Sequence, residues 1–328
     1  MKISPSEMAK ALLACAGRIV ITAHLRPDGD AAGSALALCL TLQAAGRRAV
    51  CVGIEPLGEE FGFLEGLDEI IPANDYVPLD GDVMAVVDCG DFSRIPEALR
   101  GHASKIIGFC IDHHKSNSGF APLYLIDPSS SSSCELVQSV IEAGDLPLTR
   151  SIAEALWLGM VTDTGRFSYP STSPETLRRA AVLLEKGARF SMINDVIFCR
   201  VNLRQLHLQQ RLLESIELSD DGRVAVVSLS PADYEAEQCT SADSDSFVDI
   251  PRSVKGVEIA LFIRQVFLDK PINISLRASE PYDASEICAT WGGGGHARAA
   301  GATLQGELAE QKAKVFAYLK ALVARARC

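Results

Sequence analysis

Three short runs of this chain, residues 18–23, 83–87 and 106–111, are apolar at nearly every position, and each is followed at once by aspartate or histidine. A run of that length with no polar alternation reads as a strand buried on both faces, the pattern of a parallel sheet covered by helices. Residues 49–52 make a fourth such run, and segments of good helix formers lie between and after them at 6–16, 31–45, 95–101, 135–143, 151–160 and 174–187. This alternation predicts an α/β domain: an open, mainly parallel sheet flanked by helices. In such sheets ligands bind outside the carboxyl ends of the strands, so the residues that follow each run are the candidates for chemistry.

Those residues share a chemical type. The first strand runs into His24-Leu25-Arg26-Pro27-Asp28-Gly29-Asp30, the strand 83–87 ends at Asp88, and the strand 106–111 ends in Asp112-His113-His114, in a chain with six histidines. Helix 151–160 leads into Asp163-Thr164-Gly165-Arg166. Taken alone, Asp30 could cap its helix, Asp28 could close an Asx turn, and Asp163 could be a helix-end turn residue. Arg166 faces either a phosphate or solvent. Serines 129–133 admit two uses, since Ser132-x-x-Glu135 fits a capping box but hydroxyls there could also meet phosphate.

Taken together, Asp28, Asp30, Asp88 and Asp163 need cations. Carboxylates packed within about 5 Å repel by several kcal/mol per pair at an effective dielectric near 20, and two divalent ions cancel four of them. Asp88, central in such a sheet, is the expected shared ligand. His24 and Asp28 complete one ion, and Asp30, His113 and Asp163 the other. Mixed imidazole and carboxylate donors favour Mn²⁺, Fe²⁺ or Co²⁺ over Mg²⁺. Paired ions activate water and stabilise the leaving side of a phosphoryl displacement, so hydrolysis of a phosphate ester or anhydride is the deduced reaction. His114, free beside a ligand, is placed to donate a proton to the leaving oxygen, and Asp112 to orient an imidazole.

Beyond a helical connector at 191–216 the sequence changes character. Strands at 224–228, 257–263 and 272–277 indicate a second, smaller α/β domain, with 241–246 as an acidic surface loop. The expected division is 1–190 catalytic, 191–216 linker and 217–328 substrate-binding. The second part carries Gly292-Gly293-Gly294-Gly295-His296, an entropically costly run whose use would be close approach of backbone N–H groups to a ligand phosphate. Gly293, Gly294, Gly295 and His296 are therefore candidate substrate contacts, with Arg277 and Ser279 as partners. No Walker pattern is present.

Bulk properties narrow the class. A formal charge of −11 excludes a duplex-DNA coater. Ten scattered cysteines without a C-x-x-C pair read as reduced core residues, and the absence of a membrane-length apolar run or a leader-like amino terminus points to the cytoplasm.

The motifs His24-x-x-x-Asp28-x-Asp30, Asp88, Asp112-His113-His114 and Asp163-Thr164-Gly165, followed by the glycine run and His296, resemble the DHH phosphoesterase superfamily with its DHH-associated nucleotide-binding domain. The resemblance covers nearly the whole chain. It is greatest to the stand-alone bacterial nano-RNases, which degrade very short oligoribonucleotides to mononucleotides and dephosphorylate 3'-phosphoadenosine 5'-phosphate (pAp). It implies manganese dependence, the ligands assigned above, and a substrate held in an interdomain cleft by the glycine loop, His296 and Arg277. A homodimer is compatible with it. Ala278 departs from the serine expected beside the arginine. Manganese inorganic pyrophosphatases share the metal motifs but carry a basic Ser-Arg-Lys-Lys-Gln-type clamp that is absent here. Soluble phosphodiesterases of cyclic or linear dinucleotides remain an alternative, and a non-catalytic nucleotide-binding regulator would require a lost ligand.

Overall fold

The computed structural model describes residues 1–55 and 57–325, so Cys328 lies outside the described residues. Two compact units divide the chain, Met1–Arg200 and Val201–Cys328.

In the first unit, β1 (Ile19–Thr22), β2 (Ala49–Cys51), β3 (Val83–Val87), β4 (Ile107–Asp112) and β5 (Leu123–Ile126) form a parallel sheet in the order β2-β1-β3-β4-β5. The continuous apolar runs are explained by burial on both faces. Ile19, Ile21, Ala85, Val87 and Ile111 enter one core with residues of α1 (Pro5–Ala14) and α2 (Gly29–Ala44). Val20, Met84 and Val86 enter a second core with Leu99 and Ala103 of α3 (Glu97–Ile106). The first core is completed by α4 (Ser133–Ala143), α5 (Arg150–Asp163), α6 (Pro174–Glu185) and α7 (Phe190–Phe198).

From β1 the chain crosses through α2 to β2 on one side, and β3 then pairs with β1 on the other. The strand order reverses between β1 and β3, and the carboxyl ends of strands at such a reversal form the crevice where ligands bind in open α/β sheets. At the opposite, amino end, Arg18 donates from Nε and Nη2 to the two oxygens of Asp82 at 3.0 and 2.7 Å, tying the entries of β1 and β3 together. The Tyr76 hydroxyl and the Leu79 N–H also donate to Asp82, at 2.7 and 2.9 Å.

Close approach of α2 and α5 depends on glycine. A Cβ on Gly159 would lie 2.2 Å from the Cys134 sulfur and 2.5 Å from Asp30 Oδ1. Gly159→Ala is therefore expected to cost about 2 kcal/mol by overpacking and, because Asp30 is one of the atoms pushed, to weaken divalent-ion uptake as well. Denaturant melts together with Mn²⁺ titration check both effects.

Several elements differ from expectation. β5 escaped the sequence reading because its run, Leu123–Ile126, is short and only half buried; residues 1–3 cover its free edge, with Ile3 N–H donating to the Tyr124 carbonyl. The helix expected at 95–101 is a 3₁₀ turn at Phe92–Arg94 followed by α3, which runs directly into β4. Residues 191–216 are two helices, α7 and α8 (Leu203–Glu214), on either side of the boundary between the units.

The second unit holds β6 (Glu217–Leu218), β7 (Val224–Leu229), β8 (Ile259–Arg264), β9 (Ile272–Ala278), β10 (Gly294–His296) and β11 (Ala299–Leu304) in the order β10-β11-β9-β8-β7-β6. Only β7 and β8 pair in parallel among these strands. One face packs on α11 (Ala284–Ala289) and α12 (Leu308–Arg325). The other, at β7 and β8, is covered by α8, α9 (Pro231–Glu237) and Phe247, with α10 (Asp249–Arg252) alongside. The expected acidic loop at 241–246 is instead part of a 3₁₀ helix, Ala242–Val248. It is held by the Tyr234 and Ser244 hydroxyls, 2.6 Å apart, and by burial of Phe247.

Among the described residues no helix is long and apolar enough to cross a membrane. The nine described cysteines are free thiols; seven are buried, as expected of core residues, but Cys15 is half-buried and Cys199 is exposed.

Candidate metal centre

The residues after β1 build the first part of the site. Asp28, rather than Asp30, is the N-cap of α2: its Oδ1 accepts from the N–H groups of Asp30 and Ala31, each at 3.1 Å. Its Oδ2 is left pointing to His24 Nε2 at 3.9 Å. Capping and metal binding thus use different oxygens of one side chain. His24 Nδ1 lies 3.0 Å from the Leu25 carbonyl, and donation there leaves the Nε2 lone pair free for a cation.

Asp30, in the first turn of α2, is completely buried. It is held by the amino end of α4, where Ser133 N–H donates to Oδ2 at 2.6 Å and Cys134 N–H to Oδ1 at 2.9 Å. Asp88 leaves β3 in the left-handed region, φ +48°, a conformation that aspartate tolerates better than most residues and that directs the carboxylate across the strand ends. Asp88 Oδ2 lies 3.6 Å from His24 Nε2, and Oδ1 lies 3.7 Å from His113 Nε2 and 3.6 Å from His114 Nδ1. His113 Nε2 is also 3.2 Å from Asp163 Oδ2 and 3.9 Å from Asp30 Oδ2.

Three groups result whose ligand atoms lie within 4.8 Å of one another: His24-Asp28-Asp88, Asp30-His113-Asp163 and Asp88-His113-His114. The electrostatics are those of an anionic cluster awaiting cations. Burial, then the charges of Asp28 and Asp163, push the Asp88 carboxyl up to about 6, and burial, then the charges of Asp88 and Asp163, push Asp30 well above its usual range. Burial opposes a proton on His113, but Asp163, Asp30 and Asp88 outweigh it and lift the imidazole to about 10. Shifts in this direction on both carboxyls and imidazole mean that added positive charge is favoured at the site. The donor set, carboxylate oxygens and imidazole nitrogens without thiolate, fits a hard-to-borderline divalent ion.

His114 is not free, as its sequence position suggested. Its Nδ1 is 2.7 Å from Asp112 Oδ1, and the other Asp112 oxygen accepts from Asn117 Nδ2 at 2.7 Å. The hydrogen bond that His114 donates to Asp112 raises the imidazole pKa. Burial works against the charge on Asp112, but His114 and Asn117 outweigh it and lower that carboxyl. Asn117, whose Nδ2 also donates to the Cys89 carbonyl at 3.1 Å, has no sequence signature beyond its place after the histidines.

Beyond Asp163, three successive residues adopt positive φ: Gly165 at 54°, Arg166 at 60° and Phe167 at 60°. Arg166 is drawn over the Phe198 ring, 5.2 Å from its centroid. The serine stretch proves half a capping box. Ser132 Oγ accepts from Glu135 N–H at 3.1 Å, but the Glu135 carboxylate accepts from Ser131 N–H and Thr176 Oγ1 instead of returning to the cap.

Within the second unit, Arg277 of β9 is registered against Ala299 of β11, and Ala299 against His296 of β10. Side chains paired in this way share a face, here the face away from α11 and α12. Arg277 Nε lies 3.8 Å from Asp249 Oδ1. Ser279 turns its hydroxyl to the Glu258 carbonyl at 3.2 Å. Part of the glycine run is required by the hairpin itself: a Cβ on Gly293 would lie 2.2 Å from the Gly301 carbonyl oxygen, and Gly295 has φ +149°. Gly294 faces open space.

The carboxyl edge of the parallel sheet thus gathers carboxylates and imidazoles around Asp88 in groups that could hold divalent metal ions. Residues 18–160 match the DHH family, N-terminal domain, and residues 221–325 match the DHHA1 domain. The chain belongs to the DHH family of phosphoesterases and is a hydrolase. It is 32% identical over 307 residues, 91% of this chain and 88% of the relative, to the bifunctional oligoribonuclease and PAP phosphatase NrnA of Thermus thermophilus. Identity to the protein of the same description from Bacillus subtilis is 26% over 87% of this chain and 89% of that one. The crystal structure of an exopolyphosphatase-related protein from Bacteroides fragilis superposes with a TM-score of 0.88 at 26% identity, covering 97% of this chain and 95% of that one.

Proposed function

We propose that this protein hydrolyses short single-stranded oligoribonucleotides to mononucleotides and pAp to AMP, using two divalent ions, best matched by Mn²⁺. The observation that carries this reading is the pair of triads, His24-Asp28-Asp88 and Asp30-His113-Asp163, that meet at the two oxygens of Asp88. The named relatives supply the substrate class. When bound, two such ions supply Lewis-acid activation of water and neutralise charge on the phosphoryl oxygens.

The chain's own residues do the rest. The buried carboxylates of Asp30 and Asp88 hold their positions before substrate arrives, so little reorganisation is needed at the moment of reaction. Asp112 keeps a proton on His114 Nδ1 and raises the imidazole's basicity, so that Nε2 can carry a proton to the leaving oxygen. Arg166 contributes a cation for the non-scissile phosphate. Arg277, His296 and the N–H groups of Gly293, Gly294 and Gly295 bind the nucleotide, giving the second unit the choice of substrate. Ser279 serves this set by fixing the end of β9 through the Glu258 carbonyl.

Metal-depleted protein reloaded with Mn²⁺ is expected to release mononucleotides from two- to five-mer RNA and inorganic phosphate from pAp. Rapid cleavage of pyrophosphate with both nucleotide substrates left intact would overturn the assignment. The His296→Ala variant is expected to raise KM for pAp about tenfold, the loss of one charge-assisted contact, with ion content unchanged. Steady-state kinetics beside metal analysis separates the two quantities, and loss of bound metal in that variant would contradict the separate roles of the two units.

A further inference from the structure

We propose that Ser133 is a positioning residue that sets the orientation of the shared ligand Asp88 and so tunes one metal position against the other. The inference rests on the two-ion reading above. Asp30 and Asp88 are both buried, yet they are held very differently. Asp30 receives two backbone N–H groups from the start of α4, donors that no substitution other than proline removes. Asp88 has one hydrogen-bond donor to its carboxylate among the described residues, Ser133 Oγ, at 3.0 Å from Oδ1. The imidazoles around Asp88, at 3.6 and 3.7 Å, are too distant to fix its rotation by hydrogen bonding.

The hydroxyl is specific to one side. Oδ1 is the oxygen facing His113, whereas Oδ2 faces His24. Holding Oδ1 therefore pins the half of the carboxylate that serves the Asp30-His113-Asp163 group. Ser133 itself is fully buried at the first turn of α4, so its hydroxyl has no exchange with solvent to weaken the bond. Its neighbour Ser132 supplies a built-in contrast: it caps α4 through the Glu135 N–H and touches neither carboxylate.

The test is Mn²⁺ binding to metal-depleted full-length protein by calorimetry, with thermal melts alongside. Wild-type protein is expected to take up two ions. Ser133→Ala should weaken one of them about tenfold while the other stays within about twofold. Ser133→Thr, which keeps the hydroxyl, should restore both. Ser132→Ala should lower the melting temperature without changing either affinity. In an Asp28→Asn background, the ion that remains should be the one that Ser133→Ala weakens. If Ser133→Ala binds both ions with wild-type affinity, or weakens both alike, the positioning role is wrong while the two-ion reading stands. If wild-type protein binds no Mn²⁺, both fall together.

Discussion

Replacing Asp88 with alanine is expected to lower kcat/KM on a diribonucleotide by about 10³-fold or more, equivalent to about 4 kcal/mol of transition-state stabilisation. Among the described residues Asp88 faces both histidine-carboxylate groups, with Oδ2 toward His24 and Oδ1 toward His113, so on the proposed two-ion reading one substitution would remove a ligand from each ion. The fold should survive it. Asp88 is a desolvated carboxylate crowded by Asp28 and Asp163, and without cations its removal relieves repulsion, so the metal-free variant should melt no lower than wild type. Metal analysis should find fewer ions bound per chain. Activity within about tenfold of wild type would remove Asp88 from the centre of the site.

The second large effect lies at the other end of the same strands. Asp82→Asn is expected to destabilise the first unit by about 3 kcal/mol, because it leaves the Arg18 guanidinium at the sheet's amino edge without its bidentate partner and disturbs the bonds from Tyr76 and Leu79. The pair also predicts a pH dependence. Burial opposes ionisation of Asp82, but Arg18 and the donors from Leu79 and Tyr76 outweigh it and hold its carboxyl below the ordinary value. A carboxyl lowered in the folded state contributes stability that is present above the unfolded value, near 4, and lost as pH falls through the folded value. Urea melts of wild type should therefore lose stability below about pH 4, and Asp82→Asn should lose less over the same interval.

Much of the catalytic half is legible in the sequence because its ligands sit where strands must end. A buried parallel strand cannot carry a charge inside its run, so Asp88 and Asp112 mark the strand ends as clearly as they mark chemistry. His24 and His113 follow β1 and β4 onto that edge for the same reason, whereas Asp28 and Asp30 open α2 and Asp163 arrives at the end of α5. What holds these groups is far less visible. The donors to Asp30 are backbone N–H groups, which every residue but proline possesses, so neither Ser133 nor Cys134 signals the contact. Asn117 reaches Asp112 from a turn with no periodicity to flag it. The serine stretch could be read as a cap or as a phosphate contact because cap and carboxylate donor are adjacent residues, Ser132 and Ser133, with the same side chain.

The second unit was less legible, since a glycine run reports only that side chains are excluded. Gly293 excludes them because the facing strand approaches too closely, Gly295 for that reason and for its backbone angle, and Gly292 through its positive φ, while Gly294 is left open toward solvent. The acidic stretch around Asp243 looked like a loop for a related reason. Its polar residues conceal Ser244, Phe247 and Val248, which bury against the sheet.

The most direct test of the account is a competition among pAp, the linear dinucleotide pApA, a short RNA and pyrophosphate, with kcat/KM for each measured on one Mn²⁺-loaded preparation. The account predicts that short RNA and pAp are the preferred substrates, that Asp88→Ala loses both, and that pyrophosphate is cleaved at least about a hundredfold less efficiently, for want of a clamp for so highly charged a substrate. Pyrophosphate as the best substrate, with pAp, pApA and short RNA all left largely intact, would contradict it.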